Sequence, residues 1–370
     1  VKTRSLVAHL IAAAVLLPSA PSAALAQPVG EQGAAGARRP KICVVLGGGG
    51  ARGAAHIGVI KVLEEYRIPI DCIMGTSMGA LVGAAYASGN SASDMEKLVA
   101  GLSVDKLFQD APPRDVLQPQ RKQEDRTLLF SPEIGIESVG GSMLPQGLVT
   151  GVQLESVLRD VTVPGYLNFD DLPIPYRAVA TDLVAGKAVV FSKGELANVM
   201  RASMSVPVAI APVEIGGKLL GDGMLVDNLP VDVARAMGAD VVIAVNVGTP
   251  LMKREQLGSI LGVAGQMLSI LTEQNVRASL ALLRPSDVLI SPELGDFSTG
   301  DFDHLPSTIP IGEAAARKVS NQLSRLSLPP DEYARYRKGL RPLVKGNLRA
   351  VDRIRFENLK RVNPEYLITL

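Results

Sequence analysis

Two short apolar runs, each stopping at glycine and handing over to a helical pattern, constrain this chain more than any other feature. Lys41-Ile42-Cys43-Val44-Val45-Leu46 ends at the four glycines Gly47 to Gly50, and apolar residues at helical spacing follow from Ala54 to Tyr66. Ile70 to Met74 ends at Gly75, and a small, apolar helical stretch runs from Ala80 to Ala87. Apolar runs without alternation are strands buried on both faces. Strand, glycine turn, helix, repeated, is the rhythm of a parallel sheet with helices on either side.

The rest of the chain extends this pattern and interrupts it once. Tyr176 to Ala180, Lys187 to Phe191 and the β-branched Val241 to Val247 read as strands. Val213-Glu214-Ile215 and Lys218-Leu219-Leu220, joined by Gly216-Gly217, read as a hairpin that leaves Asp222 just past a strand end. Pro230 suits the first turn of a helix and Gly238 its C-terminal cap. From Leu102 to Gly151 periodicity gives way to Pro-rich, charged and Gly-rich pieces, the pattern of a mobile cap. Gln256 to Thr272 is uncharged and apolar on one face, expected as a core helix, with lipid contact as the alternative. Ile311 to Leu326 is expected to be one amphipathic helix. Val351 to Phe356 reads as a strand, with a helix opening at Asn363-Pro364.

The first 26 residues read as an export signal: Lys2 and Arg4, an apolar run from Leu6 to Leu17, and an A-x-A site at Ala24-Leu25-Ala26. That run is too short for a bilayer core of about 30 Å. Residues 27–40 then form a flexible lead-in, and the expected location is periplasmic, outer-membrane-associated or secreted. A net charge of +1, from 38 Lys+Arg against 37 Asp+Glu, gives no field to attract nucleic acid. Aromatic residues at 4%, with no Trp, also leave no stacking platform for single strands. Outside the signal segment only His56, His304, Cys43 and Cys72 remain as soft ligands, without metal-site spacing, so no metal is expected. Cys43 and Cys72 are expected as buried free thiols, with pairing in an oxidising compartment as the alternative.

Gly75-Thr76-Ser77-Met78-Gly79 matches G-x-S-x-G between strand and helix. The sharp turn that projects such a serine leaves no room for a Cβ on either flank, and the helix N-terminus behind it favours developing negative charge. Gly47-Gly48-Gly49-Gly50-Ala51-Arg52-Gly53 lies at the matching turn of the preceding unit, where successive N–H groups can converge on one oxyanion. Arg52 is read either as fixing this loop or as adding positive charge. Gly48, Gly50 and Gly53 also satisfy G-x-G-x-x-G, but the second strand ends without the acidic residue that holds a ribose, which disfavours a dinucleotide. A nucleophilic serine needs a base. His56 lies one turn into a helix and His304 in an acidic loop, both reading as structural. Asp222, glycine-framed in Leu220-Gly221-Asp222-Gly223, is the carboxylate alternative, provided burial raises its proton affinity. An ordinary turn aspartate is the competing reading.

Taken in order, the glycine loop, the G-T-S-M-G elbow and the D-G turn resemble the patatin-like phospholipases over roughly Lys41 to Asn246, and more loosely to Leu328. Ala180-Thr181-Asp182-Leu183, the stretch Arg201 to Pro207 and Val226-Asp227-Asn228-Leu229-Pro230 also match. The resemblance implies a three-layer α/β/α fold with a mainly parallel central sheet, a catalytic domain over residues 41–328 and an extension over residues 329–370 that looks like the start of a small periplasmic domain. It implies hydrolysis of carboxylic esters in phospholipids, lysophospholipids or neutral lipids, with no metal or other cofactor; the stretch Gln256 to Thr272 and the Leu102 to Gly151 cap are the candidates for peripheral membrane contact. It makes Ser77 the nucleophile and Asp222 the general base. Gly48, Gly49, Gly50 and Arg52 become the oxyanion site, with Gly53, Gly75, Gly79 and Gly223 in support. One departure stands out: the family's D-G-[AG] turn reads Asp222-Gly223-Met224. Two other classes stay open, a non-lipid esterase or thioesterase using the same pair and a catalytically silent binding protein.

Overall fold

The computed structural model describes residues 38–101, 135–136, 142–143, 147, 149–162 and 164–340. The expected export signal, most of the lead-in and cap, and the C-terminal strand and helix lie outside the described residues.

The first two units form as their patterns require. β1 (Ile42–Leu46) runs into the glycine loop, a 3-10 turn at Gly50–Ala54 and α1 (Ala55–Glu65). β2 (Cys72–Thr76) leads through Ser77 into α2 (Met78–Ala87), followed by α3 (Ala92–Ala100) behind a Ser91/Asp94 capping box. After α4 (Val152–Val161) come β3 (Tyr176–Asp182), β4 (Lys187–Phe191) and α5 (Leu196–Ser203). β5 (Val213–Ile215) and β6 (Lys218–Asp222) form the expected hairpin, and both turn glycines have positive φ, Gly216 at 59° and Gly217 at 73°. That is the backbone a tight two-residue hairpin requires. α6 (Val231–Ala236), β7 (Val241–Val245), α7 (Ile260–Leu280), β8 (Val288–Ile290), α8 (Ile309–Lys318), α9 (Ser320–Leu323) and α10 (Pro330–Gly339) complete the order.

The main sheet has eight strands in the order β8-β7-β1-β2-β3-β6-β5, with β4 also paired to β3. β8, β7, β1, β2 and β3 are mutually parallel, while β4, β6 and β5 are antiparallel additions. Alternate strand residues feed two separate cores. Ile42, Val44, Leu46 and Ile73 pack with α1, α2 and α8; Cys43, Val45, Cys72 and Met74 pack with α6 and the C-terminal half of α7. Two cores on opposite faces of one sheet make the three-layer α/β/α arrangement.

Three expectations need correction. Cys43 and Cys72 are directly opposite in the β1–β2 register, with Cα atoms 4.6 Å apart, and are joined as a disulfide rather than left as free thiols. Pairing depends on register between strands, which neither apolar run reveals alone. Ile311 to Leu326 is not one helix: Val319, at φ −103° and ψ 19°, ends α8 and separates it from α9. The stretch Gln256 to Thr272 is not a core helix. α7 leaves Ile260 89% and Met267 61% exposed, and its buried residues, Val276 and Ser279, lie further along. An apolar stripe defines a helix face without saying what that face meets.

Candidate active site

The register of β3 brings the two candidate catalytic residues together. β4 occupies one edge of β3 across Ala178 to Asp182. On the other edge β2 pairs only as far as Thr76↔Val179, and β6, running the opposite way, ends at Asp222↔Ala180. Two strands of opposite direction therefore finish head to head on consecutive residues. Ser77 follows one and Asp222 closes the other.

Ser77 stands at φ 54°, a left-handed backbone that costs of order 1–3 kcal/mol for a non-glycine residue. Its neighbours hold it there. The Ser77 N–H donates to Ser203 Oγ at 2.9 Å, and that hydroxyl donates to the Val179 carbonyl at 2.6 Å. Thr76 Oγ1 donates to the Asp227 carbonyl at 2.8 Å. The flanking glycines are sterically required: a Cβ on Gly75 would lie 2.4 Å from the Gly79 carbonyl, and one on Gly79 would lie 2.2 Å from the Leu46 carbonyl oxygen.

Asp222 is fully buried. Burial pushes its carboxyl up to about 7, against the opposing pull of the Met224 N–H and the Ser77 hydroxyl. Oδ1 accepts the Met224 N–H at 2.8 Å, whereas Oδ2 has no aligned hydrogen-bond partner. The Ser77 hydroxyl lies near enough to favour the ionised carboxyl without making an aligned hydrogen bond to it. Asp222 itself is fixed through its backbone: its N–H donates to the Ser205 carbonyl and its carbonyl accepts Thr181 Oγ1, both at 2.8 Å. Gly223 keeps the turn close, since a Cβ there would meet the Val179 carbonyl oxygen at 2.5 Å. Met224, the departure in this turn, supplies a backbone N–H and leaves that contact intact.

The glycine loop passes beside Ser77. A Cβ on Gly48 would lie 3.1 Å from Ser77 Cβ and 2.4 Å from Asn228 Oδ1. The Gly48 N–H already donates to the Asn228 carbonyl at 3.2 Å, so Gly49 and Gly50 carry the uncommitted N–H groups of the expected oxyanion trio. Gly53 makes room for Met78, whose Cγ would lie 2.4 Å from a Cβ there. Arg52 takes only the first of its two expected roles. Its guanidinium donates to the carbonyls of Val247, Gly248, Gly295 and Phe297 at 2.7 to 3.1 Å, so it staples neighbouring loops and is not aimed at an oxyanion.

Neither histidine joins the serine. His56 is fully buried, and burial lowers it to about 4, leaving a neutral ring whose Nε2 donates to the Gly47 carbonyl at 2.7 Å. His304 is exposed and pairs with Asp301, which raises its proton affinity. Among the described residues no His/Cys/Asp/Glu group is arranged to hold a metal.

Two contributors, Arg201 and Asp227, lie in stretches that match the family but showed no role of their own in the sequence. Arg201, buried, donates to Ser205 Oγ at 2.6 Å and to the carbonyls of Gly151 and Ala211, bracing the segment that holds Asp222. Asp227 is mostly buried and pushed up to about 7 by burial, reinforced by neighbouring Asp232. An apolar cavity is lined by Met78, the residue after Ser77, and by Leu81, Leu154, Met204 and Phe302; Asn90 is its one polar residue among the described lining.

A left-handed serine between a parallel strand and a helix, with a glycine loop on one side and a buried carboxyl on the other, has the geometry of a nucleophile elbow. The family model for patatin-like phospholipases matches residues 44–235, over half the chain, and the chain belongs to that family. An uncharacterised NTE family protein of Mycobacterium tuberculosis is 36% identical over 212 residues, covering 57% of this chain and 50% of that protein. Human patatin-like phospholipase domain-containing protein 6 is 35% identical over 210 residues, covering 56% of this chain and 13% of that protein. The chain thus spans half the length of the mycobacterial relative and a smaller part of the human one. The crystal structure of VipD from Legionella pneumophila aligns over 77% of this chain and 67% of that one, at 18% identity and a TM-score of 0.42.

Proposed function

We propose that this protein is a serine lipid acyl hydrolase of the phospholipase A or lysophospholipase type, working through Ser77 and Asp222. The observation that carries the reading is the head-to-head ending of β2 and β6 on β3, which sets a strained serine beside a buried carboxyl held near pH 7. Ser77 Oγ attacks the ester carbonyl while Asp222 takes its proton, and the tetrahedral oxyanion is held by N–H groups of the glycine loop, chiefly those of Gly49 and Gly50. The C–O bond breaks as the proton passes from Asp222 to the departing alcohol. Water then adds to the acyl-enzyme, giving its proton to the same carboxylate. Ser77 leaves and takes that proton back, releasing the fatty acid.

The apolar cavity lined by Met78, the residue after Ser77, supports an acyl chain as the group bound near the serine. A base held near pH 7 makes activity rise with pH through about 7, because Asp222 accepts a proton only when ionised. The Cys43–Cys72 disulfide supports an oxidising compartment, in keeping with export by the N-terminal segment.

Labelling the purified protein with a fluorophosphonate and mapping the modified peptide tests the mechanism. Label on Ser77 that disappears in Asp222→Asn is the expected result. Ser77→Ala is expected to lower esterase activity by about 10³-fold or more. Full activity in that variant would overturn the assignment.

A further inference from the structure

α7 has two sides of different character, and the site lies behind one of them. From Ile260 to Thr272 the helix carries no charged residue. Ile260, Val263, Met267, Ile270 and Leu271 are 89%, 48%, 61%, 40% and 47% exposed, a stripe roughly 16 Å long at 1.5 Å per residue. Among the described residues no helix is long and apolar enough to cross a membrane, so a lipid layer would meet this stripe side-on. The segment before it lies alongside, since the Met252 N–H donates to Gln266 Oε1 at 2.8 Å. Exposed Lys253 and Arg254 follow Met252, with one acidic neighbour, Glu255. An apolar stripe with a net basic flank is complementary to an anionic phospholipid surface.

The side facing the protein body holds the site. Asn275 Nδ2 donates to the Met224 carbonyl at 2.8 Å, and Thr272 Oγ1 reaches the same carbonyl at 3.2 Å. Met224 is the residue whose N–H fixes Asp222. Asn275 Oδ1 accepts the Asn228 N–H at 2.9 Å. Asn228 in turn grips the glycine loop, accepting the Gly48 N–H at its carbonyl and donating from Nδ2 to the Gly48 carbonyl at 3.1 Å. One side chain thus joins the turn of the base and the loop beside the nucleophile.

We propose that α7 is a docking helix for an anionic phospholipid surface and that Asn275 is the positioning residue tying it to both halves of the site. The second clause rests on the hydrolase reading above; the first does not. Docking on this face brings the layer that holds the substrate onto the helix from which the base turn hangs.

The test uses the full chain in two arms. Vesicles of phosphatidylcholine carrying phosphatidylglycerol as the anionic lipid are sedimented with Ser77→Ala protein, so that binding is read without turnover. Adding Ile260→Ser and Met267→Ser, both at exposed positions, is expected to weaken binding at least tenfold, and vesicles are expected to slow hydrogen exchange over residues 260–271. Unchanged binding, or loss of a concentration-dependent dimer in place of lipid binding, would overturn the docking surface. In the second arm, Asn275→Ala is expected to lower kcat about tenfold on a dissolved short-chain ester while KM holds. The acid limb of its pH profile should move upward, because a loosened Met224 N–H no longer favours ionised Asp222. An unmoved limb with unchanged kcat overturns the positioning role. Wild-type protein that neither labels nor hydrolyses would defeat the hydrolase reading and the positioning role with it, and the vesicle arm would still decide the surface.

Discussion

The turns after β1 and β2 are written in the same residues and do different work. Both follow buried parallel strands, both are glycine-framed, and both open a helix. In the second, glycine is needed for closeness: Gly75 and Gly79 touch backbone on both sides, and the strain falls on Ser77. In the first, glycine also leaves N–H groups unspent. Gly49 has an extended φ of 178° that any residue adopts, and a Cβ there would meet mainly the Val247 side chain. Gly50 is the intermediate case, with φ 55° and the Thr299 carbonyl oxygen 2.3 Å from a Cβ position. A glycine motif therefore states a need for space without saying whether packing or chemistry uses it.

Substitutions separate the two uses, beginning with the largest effect on stability. Gly79→Ala forces a Cβ into the Leu46 and Gly47 carbonyls, where no flexible side chain can yield. A loss of about 4 kcal/mol or more is expected, read as a collapse of the thermal transition or failure to fold. Arg52→Leu strips hydrogen bonds from four carbonyls while leaving the loop glycines in place, and a loss of about 2–4 kcal/mol is expected in denaturant melts.

Asp222 gives an effect of opposite sign. Its folded-state value of about 7 lies above the ordinary carboxyl range, so the native protein keeps a proton that the unfolded chain releases. Stability falls as pH rises from about 4 to 7, and the cost of ionising the buried group is complete above that. Asn keeps an acceptor for the Met224 N–H and has no charge to bury. Asp222→Asn is expected to be inactive yet more stable than wild type at pH 8, by up to about 4 kcal/mol, and nearly equal to it at pH 4. Equal melting temperatures at pH 8 would mean that Asp222 is not held near neutrality.

What could be read in the sequence was what local pattern carries. Ser77 and its glycines stood out because strand, elbow and helix are contiguous, and the Gly216-Gly217 hairpin because its backbone demand is local. Asp222 was legible as a candidate base from its glycine-framed strand end, and the family resemblance was needed to choose that reading, because a glycine-framed aspartate is also what an ordinary turn contains. Ser203, Arg201 and Asn228 fell within stretches that match the family but showed no role of their own there, and Asn275 left no trace: each makes hydrogen bonds to segments distant in sequence, Ser203 to Ser77 across 126 positions. The outward stripe of α7 was legible as a stripe and misread as core. Arg52 was placed in the right loop, but the direction of its guanidinium is decided by carbonyls about 195 to 245 residues away.

The smallest structural change sharpens the comparison most. Gly49→Ala needs no unusual backbone, and its Cβ would sit 2.9 Å from Val247 Cγ2, a branch that can rotate, and 3.1 Å from the Val247 carbonyl oxygen. A stability loss of only about 1 kcal/mol is expected. In the proposed mechanism the N–H at this position is one of the two uncommitted donors of the glycine loop, and a shift of a few tenths of an ångström would misaim it. Losing one oxyanion donor outright costs about 10²–10³-fold in kcat, so for a misaimed donor a fall of roughly tenfold or more is expected, with KM nearly unchanged. Fluorophosphonate labelling of Ser77 should slow in parallel, since the phosphonyl oxygen uses the same donors. If Gly49→Ala instead loses stability like Gly79→Ala while the folded fraction labels at the wild-type rate, the first turn is a packing device like the second. The oxyanion must then be held elsewhere, the Met78 N–H at the start of α2 being the next donor to examine.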